Sequence, residues 1–196
     1  MYLFIDTISE PTYVALFDEK RHILDTQSWP GKQREFDTLT EEINDLLEKN
    51  NITYKSLSGM VVMVWPGSFT GTRVTTLVAN AINYGFNTPL FPLTVGEFFS
   101  LQDAPLPWIT SVTKKEVLLW NDKKGDAILE LIANLPEGNY TTLAPIDFQH
   151  QRNTIKTAHN YTKVIAHLSL NKSHERVKPV YAKDPNITLK TISHAY

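Results

Sequence analysis

The amino-acid sequence predicts an α/β protein of two lobes, and three observations carry that expectation. Met60–Trp65 is an apolar, β-branched run followed at once by a turn and an amphipathic helix, as expected of a buried strand feeding a helix. Ahead of it stand three strand-like runs joined by turns short enough to make them antiparallel neighbours. After residue 101, Gln102-Asp103-Ala104-Pro105-Leu106-Pro107 has the composition of a linker, which divides the chain into residues 1–103 and a smaller second lobe, 104–196.

Taken in order, Tyr2–Asp6 reads as the first strand and Thr12–Phe17, after the turn Ser9-Glu10-Pro11, as the second. Asp18–Arg21 turns the chain into a third strand, His22–Trp29, stopped by Pro30-Gly31. Thr38 and Glu41 have the spacing of a capping box. Leu39, Ile43, Leu46 and Leu47 then lay an apolar stripe along a helix ending near Asn50-Asn51. In the central unit Pro66 and Gly67 end the strand, and Ser68 and Thr70 offer oxygens to the free N–H groups of the helix. Val74, Leu77, Val78, Ala81 and Ile82 recur at helical spacing and form the expected core stripe, with Gly85 placed for a left-handed cap. Leu90–Leu93 is a short strand, and Thr94-x-x-Glu97 caps a helix carrying Phe98, Phe99 and Leu101. In the second lobe Trp108–Val112 and Val117–Asn121 read as a strand pair and Tyr140–Ala144 as a strand. Helices are expected over Asp126–Leu135 and Thr154–Leu170.

The other side of the central helix carries Thr72, Thr75, Thr76, Ala79 and Asn83, small and uncharged where a solvated face would carry Lys and Glu. Either another part of the chain covers this face or a partner helix packs closely on it.

A chain of 196 residues buries roughly 70% of its unfolded surface, enough for a self-sufficient core. It has no cysteine, which excludes disulfides and thiolate metal sites. No basic leader and no apolar run of membrane-spanning length is present, so a soluble, cytoplasmic protein without a membrane partner is expected. The net charge is −2, unevenly spread. Residues 1–149 hold 11 Lys/Arg against 19 Asp/Glu, and residues 150–196 hold 8 against 2. That basic end either faces a polyanion or pairs with the acidic remainder.

Pro66-Gly67-Ser68-Phe69-Thr70-Gly71-Thr72-Arg73 resembles the GPGSFTGxR signature of the TsaB family, with Trp65 in place of the first glycine. TsaB proteins are accessory subunits of the bacterial machinery that makes N6-threonylcarbamoyladenosine (t6A) at position 37 of tRNA. The closing segment Pro179-Val180-Tyr181-Ala182-Lys183-Asp184-Pro185 is similar to the family's P-x-Y-L-R-x-P, and Asp6-Thr7 stands at the family's first turn. The family's D-A-R-x-G-E-V-Y stretch falls on Ser111–Leu118, where only Glu116 and Val117 are kept. The resemblance selects a ribonuclease-H-like fold of the actin-like ATPase superfamily, which the order β-β-β-α-β-α-β permits, with a reduced second lobe. It implies a non-catalytic subunit that docks on and activates a TsaD-like transferase. A TsaE-like ATPase would bind the pair, tRNA would be engaged indirectly, and ATP and metal would sit on the partner subunits. It further implies that Thr72, Thr75, Thr76, Ala79 and Asn83 meet a partner helix, from TsaD or from a second copy, through the helix Gly71–Tyr84. Lys172, Arg176 and Lys178 become the expected tRNA contacts.

Catalytic chemistry is hard to find in the residues. Active relatives of the superfamily carry Asp-x-Gly-x-Thr at the first turn, where glycine lets backbone N–H groups approach phosphates. Here the turn is Asp6-Thr7-Ile8-Ser9. Beyond the linker only Gly125 and Gly138 remain, too few for an adenosine loop. Gly67–Arg73 lacks Walker A spacing. It is read either as an anion site at a helix N-terminus or, preferably, as a structural turn in which Ser68 or Thr70 caps and Arg73 ties down a neighbour. His22, His150, His159, His167, His174 and His194 show no chelating spacing, and no Ser/His/Asp set stands out. Two alternatives remain: a divergent superfamily ATPase or small-molecule kinase, and a stand-alone homodimeric adaptor.

Overall fold

A computed structural model describes residues 1–30, 35–64, 69–123, 125–148, 154–157 and 159–179. Strands β1 (Tyr2–Asp6), β2 (Thr12–Phe17) and β3 (Ile23–Trp29) form an antiparallel meander. Helix α1 (Glu35–Lys49) leads to β4 (Gly59–Met63), parallel to β1, and helix α2 (Phe69–Phe86) to β5 (Leu90–Leu93), parallel to β4. The sheet order is β3-β2-β1-β4-β5. Helix α3 (Val95–Leu101) then crosses to a second sheet of β6 (Trp108–Ser111), β7 (Glu116–Trp120), β8 (Ile128–Leu131), β9 (Asn139–Thr142) and β10 (Thr154–Thr157), in the order β10-β9-β6-β7-β8. Helix α4 (Tyr161–Ala166) follows.

Strand periodicity decides which core each side chain enters. From β1 and β4, Leu3, Ile5, Met60 and Val62 face α1 and α2, where they meet Leu39, Ile43, Leu46, Val78 and Ile82. The alternate residues Phe4, Val61 and Met63 face α3 and α4, against Phe98, Phe99, Val164 and Ile165. Each such burial contributes about 1.5–3 kcal/mol. The second core also takes Trp108, Leu118 and Trp120 from the second sheet, with Trp108 stacked on Phe99 at 5.2 Å. One apolar layer therefore joins the two sheets. Ile109, Val117, Ile132, Leu135 and Tyr140 form a satellite core on the far side of the second sheet. At Gly59 a Cβ would lie 2.6 Å from the Phe91 ring, so the β4–β5 approach requires glycine there.

Several local expectations change. The Asp126–Leu135 helix is instead strand β8 and a 3-10 turn, Ile132–Asn134, because Ile128–Leu131 pairs antiparallel with β7. The Thr154–Leu170 helix splits. Thr154–Thr157, with three β-branched residues in four, pairs parallel with β9, and Asn160 then caps the short α4 by accepting from the Lys163 N–H at 3.0 Å. Thr38 lies inside α1 rather than at its cap. Gly85 lies inside α2, and Asn87 (φ 55°) takes the left-handed position, its N–H donating to the Asn83 carbonyl at 2.7 Å. The Thr94–Glu97 capping box forms in both directions.

After α4 the chain does not stay with the second sheet. His174 bridges Leu90 at the edge of β5, and Val177 packs into the core beneath α2. No helix among the described residues is long and apolar enough to cross a membrane.

Candidate functional site

Helix α2 is turned relative to the expected orientation. Thr72, Thr75, Thr76 and Ala79 are 3% exposed or less, and Val78 and Ile82 are buried beside them. Leu77, placed in the core stripe by its spacing, is 59% exposed, and Ala81 is exposed as well. Two of the three threonines find partners for their hydroxyls inside. Thr75 shares a hydrogen bond with Thr7 in the turn after β1. Thr76 Oγ1 donates back along the helix to the carbonyls of Thr72 (2.9 Å) and Arg73 (3.0 Å). Thr72 Oγ1 is buried without a partner. Asn83 caps its own helix end, its amide donating to the Thr88 carbonyl at 2.8 Å. The small-residue face is covered by the chain itself, so its assignment as the partner-facing surface is corrected.

What α2 leaves uncovered is a different stripe. Arg73, Leu77, Ala81 and Tyr84, at i, i+4, i+8 and i+11, are all exposed, Tyr84 to 92%. Phe86, the last residue of α2, lies half a turn round the helix from Leu77 and stacks on Tyr54 at 5.4 Å. An exposed helix face of Leu, Ala and Tyr with one cation is not the charged surface that solvent favours. Asn80, beside this stripe, clamps the C-terminal segment: its amide donates to the Val177 carbonyl at 2.8 Å, and its Oδ1 accepts the Val177 N–H at 2.9 Å. Pro66, Gly67 and Ser68 lie outside the described residues. Phe69, Thr70 and Gly71 form the first turn of α2.

The turn after β1 is closed. Asp6 is fully buried, and its Oδ1 accepts the N–H groups of Ile8 (2.8 Å) and Ser9 (2.9 Å). Its Oδ2 accepts the hydroxyls of Ser9 (2.5 Å) and, from α4, Tyr161 (3.0 Å). Both N–H groups of the turn are thereby taken up by the carboxylate. Burial, reinforced by that carboxylate, holds the Tyr161 phenol well above the ordinary tyrosine range. Burial also pushes its stacking neighbour Tyr13 up to about 12.

Among the described residues no three metal-capable side chains cluster. His159 Nε2 meets the Leu143 carbonyl at 2.7 Å and His167 Nδ1 the Lys163 carbonyl at 2.8 Å, while His22 pairs with Asp18. His150 and His194 lie outside the described residues. An open cavity of about 310 Å³ between α3 and the turn after β7 is lined by Gly96, Glu97, Trp120, Lys123 and Asp126. Lys123 bonds Asp103, which holds that exposed carboxyl below its usual range. Lys172, Arg176 and Lys178 are exposed on the segment pinned at Leu90 and Asn80. Sequence reasoning missed Tyr161 as a partner of Asp6, and residues 155 apart in the chain offer no spacing signal for it.

Residues 33–104 match the family "TsaD: tRNA N6-adenosine threonylcarbamoyltransferase". No curated protein matches the chain. Among solved structures, YeaZ from Pseudomonas aeruginosa superposes with a TM-score of 0.59 at 14% identity, over 84% of this chain and 89% of that one. A Pseudomonas aeruginosa protein described as uncharacterized, with similarity to peptidase YEAZ, superposes with a TM-score of 0.67 at 14% identity, over 93% and 99%. The chain therefore has the fold of these two YeaZ-like structures, and its residues 33–104 carry the TsaD-family match.

Proposed function

We propose that the chain is a non-catalytic subunit of t6A synthesis that docks on a TsaD-like transferase through the exposed stripe of α2. The observation that carries this is the apolar row Leu77, Ala81 and Tyr84 on the surface of the helix that the TsaB-like motif opens. The surface is relocated from the expected Thr72–Asn83 face to the other side of the same helix. ATP and metal then belong to the transferase and to a TsaE-like ATPase, and a second copy can occupy the stripe when the transferase is absent. Co-purification with the host's TsaD-like transferase tests the reading. A stoichiometric complex is expected, and no association at micromolar concentrations would overturn it.

The non-catalytic half of the reading rests on the Asp6 turn, whose N–H groups and carboxylate are already engaged. Calorimetry of the isolated chain with ATP and magnesium should detect no binding tighter than ~10 μM, about −7 kcal/mol. Tighter binding would favour the divergent ATPase.

Contact with tRNA is assigned to the pinned basic segment. Lys172, Arg176 and Lys178 are exposed at short intervals and make no ion pair among the described residues. Every cation that neutralises a phosphate adds nearly one unit to the salt slope of binding. Replacing all three with Gln should therefore weaken binding of tRNA by the assembled complex and flatten its salt dependence. Unchanged affinity and slope would return them to ordinary solvated charge.

A further inference from the structure

At the open end of β1, four stretches of chain meet through directional contacts rather than apolar packing alone. The Asp6 carboxylate offers about four lone-pair positions, and Ile8, Ser9 (twice) and Tyr161 fill them. The Tyr161 ring lies face to face on Tyr13 of β2 (3.7 Å between centroids, 8° between planes), stacks with His159, and meets Phe4 and Phe98 edge-on. One residue beyond β9, the Leu143 carbonyl accepts the Glu10 N–H at 3.0 Å and meets His159 Nε2 at 2.7 Å. Gln102, at the end of α3, accepts the Asn160 N–H at 2.9 Å.

The turn of the first sheet, the end of β9 in the second, the C-cap of α3 and the start of α4 are thus bonded to one another around one phenol. The shared apolar layer beneath them is non-directional and permits sliding. Hydrogen bonds of fixed geometry do not. We infer that this cluster, centred on Tyr161, is a joint that fixes the two sheets as one rigid body, with the Tyr161 hydroxyl serving as the internal ligand of Asp6. The chain then behaves as a platform that does not hinge between its halves.

Hydrogen exchange on the full chain, read by NMR at single amides, tests this with three variants. Tyr161→Phe removes only the hydroxyl, Tyr161→Ala removes the stack as well, and Tyr140→Phe removes a hydroxyl bonded to the Pro136 carbonyl within the second lobe. The Ile8, Ser9 and Glu10 amides should exchange at least tenfold faster in Tyr161→Phe, and faster again in Tyr161→Ala. Amides of β4 and β7 should keep their rates, and Tyr140→Phe should change none of the three. Unchanged Ile8–Glu10 rates in Tyr161→Phe would overturn the joint, and so would uniform acceleration across both sheets, which would mark Tyr161 as general core. If Tyr161→Ala does not fold, the Phe variant decides alone.

Discussion

Two hydroxyl-bearing residues show how far burial depends on finding a partner. Thr76 tolerates the interior because it donates to its own helix, while Thr72, one turn earlier, leaves an oxygen unpaired. A buried unpaired polar atom costs about 1–3 kcal/mol, and its isosteric apolar replacement removes that penalty. Thr72→Val should therefore raise stability by about 1 kcal/mol in denaturant titration, and a loss of stability would mean that the hydroxyl is serving a partner. Tyr13 supplies the pH counterpart. Its pKa is about 12 in the fold and near 10 when unfolded, so the folded state binds the phenolic proton more tightly. Its contribution is complete below pH 10 and is lost as pH rises through about 12. Tyr161, raised by burial and by Asp6, adds in the same direction. Unfolding midpoints should fall steeply between pH 10 and 12, and Tyr13→Phe should flatten that fall.

At the scale of elements, α2 reverses two placements. Spacing placed Leu77 in the core stripe and the resemblance placed Ala79 against a partner helix, whereas Ala79 is fully buried within the chain and Leu77 is exposed. Ala79→Trp should therefore unfold the protein or cost several kcal/mol, since overpacking a filled core costs about 1–3 kcal/mol even for smaller insertions. Leu77→Ala should change stability by about 0.5 kcal/mol or less, in place of the 2–5 kcal/mol of a core leucine. Melting curves on the two variants decide. The first sheet is legible in sequence because each strand is a short run between Pro, Gly or Asp turns, and the Thr94–Glu97 cap is local. The rotation of α2 is not, because threonine reads as polar although it has valine's shape and can bond its own backbone. The region 126–170 also misleads, since Ile128–Leu131 and Thr154–Thr157 become strands only by pairing with β7 and β9.

For the whole molecule, the proposed role is that of a two-sheet platform presenting one helix face to a partner. That face is a single stripe, so one substitution addresses it. Leu77→Arg puts a cation in the middle of the row. The exposed position should tolerate it in the free chain, while an unpaired charge buried in an interface costs several kcal/mol. Sedimentation velocity of the full chain with the host's TsaD-like transferase, for the wild type and for Leu77→Arg, is the most direct measurement. The wild type should sediment as a complex, and Leu77→Arg, with an unchanged melting temperature, should sediment apart from the transferase. A Leu77→Arg protein that still forms the full complex would contradict the docking face.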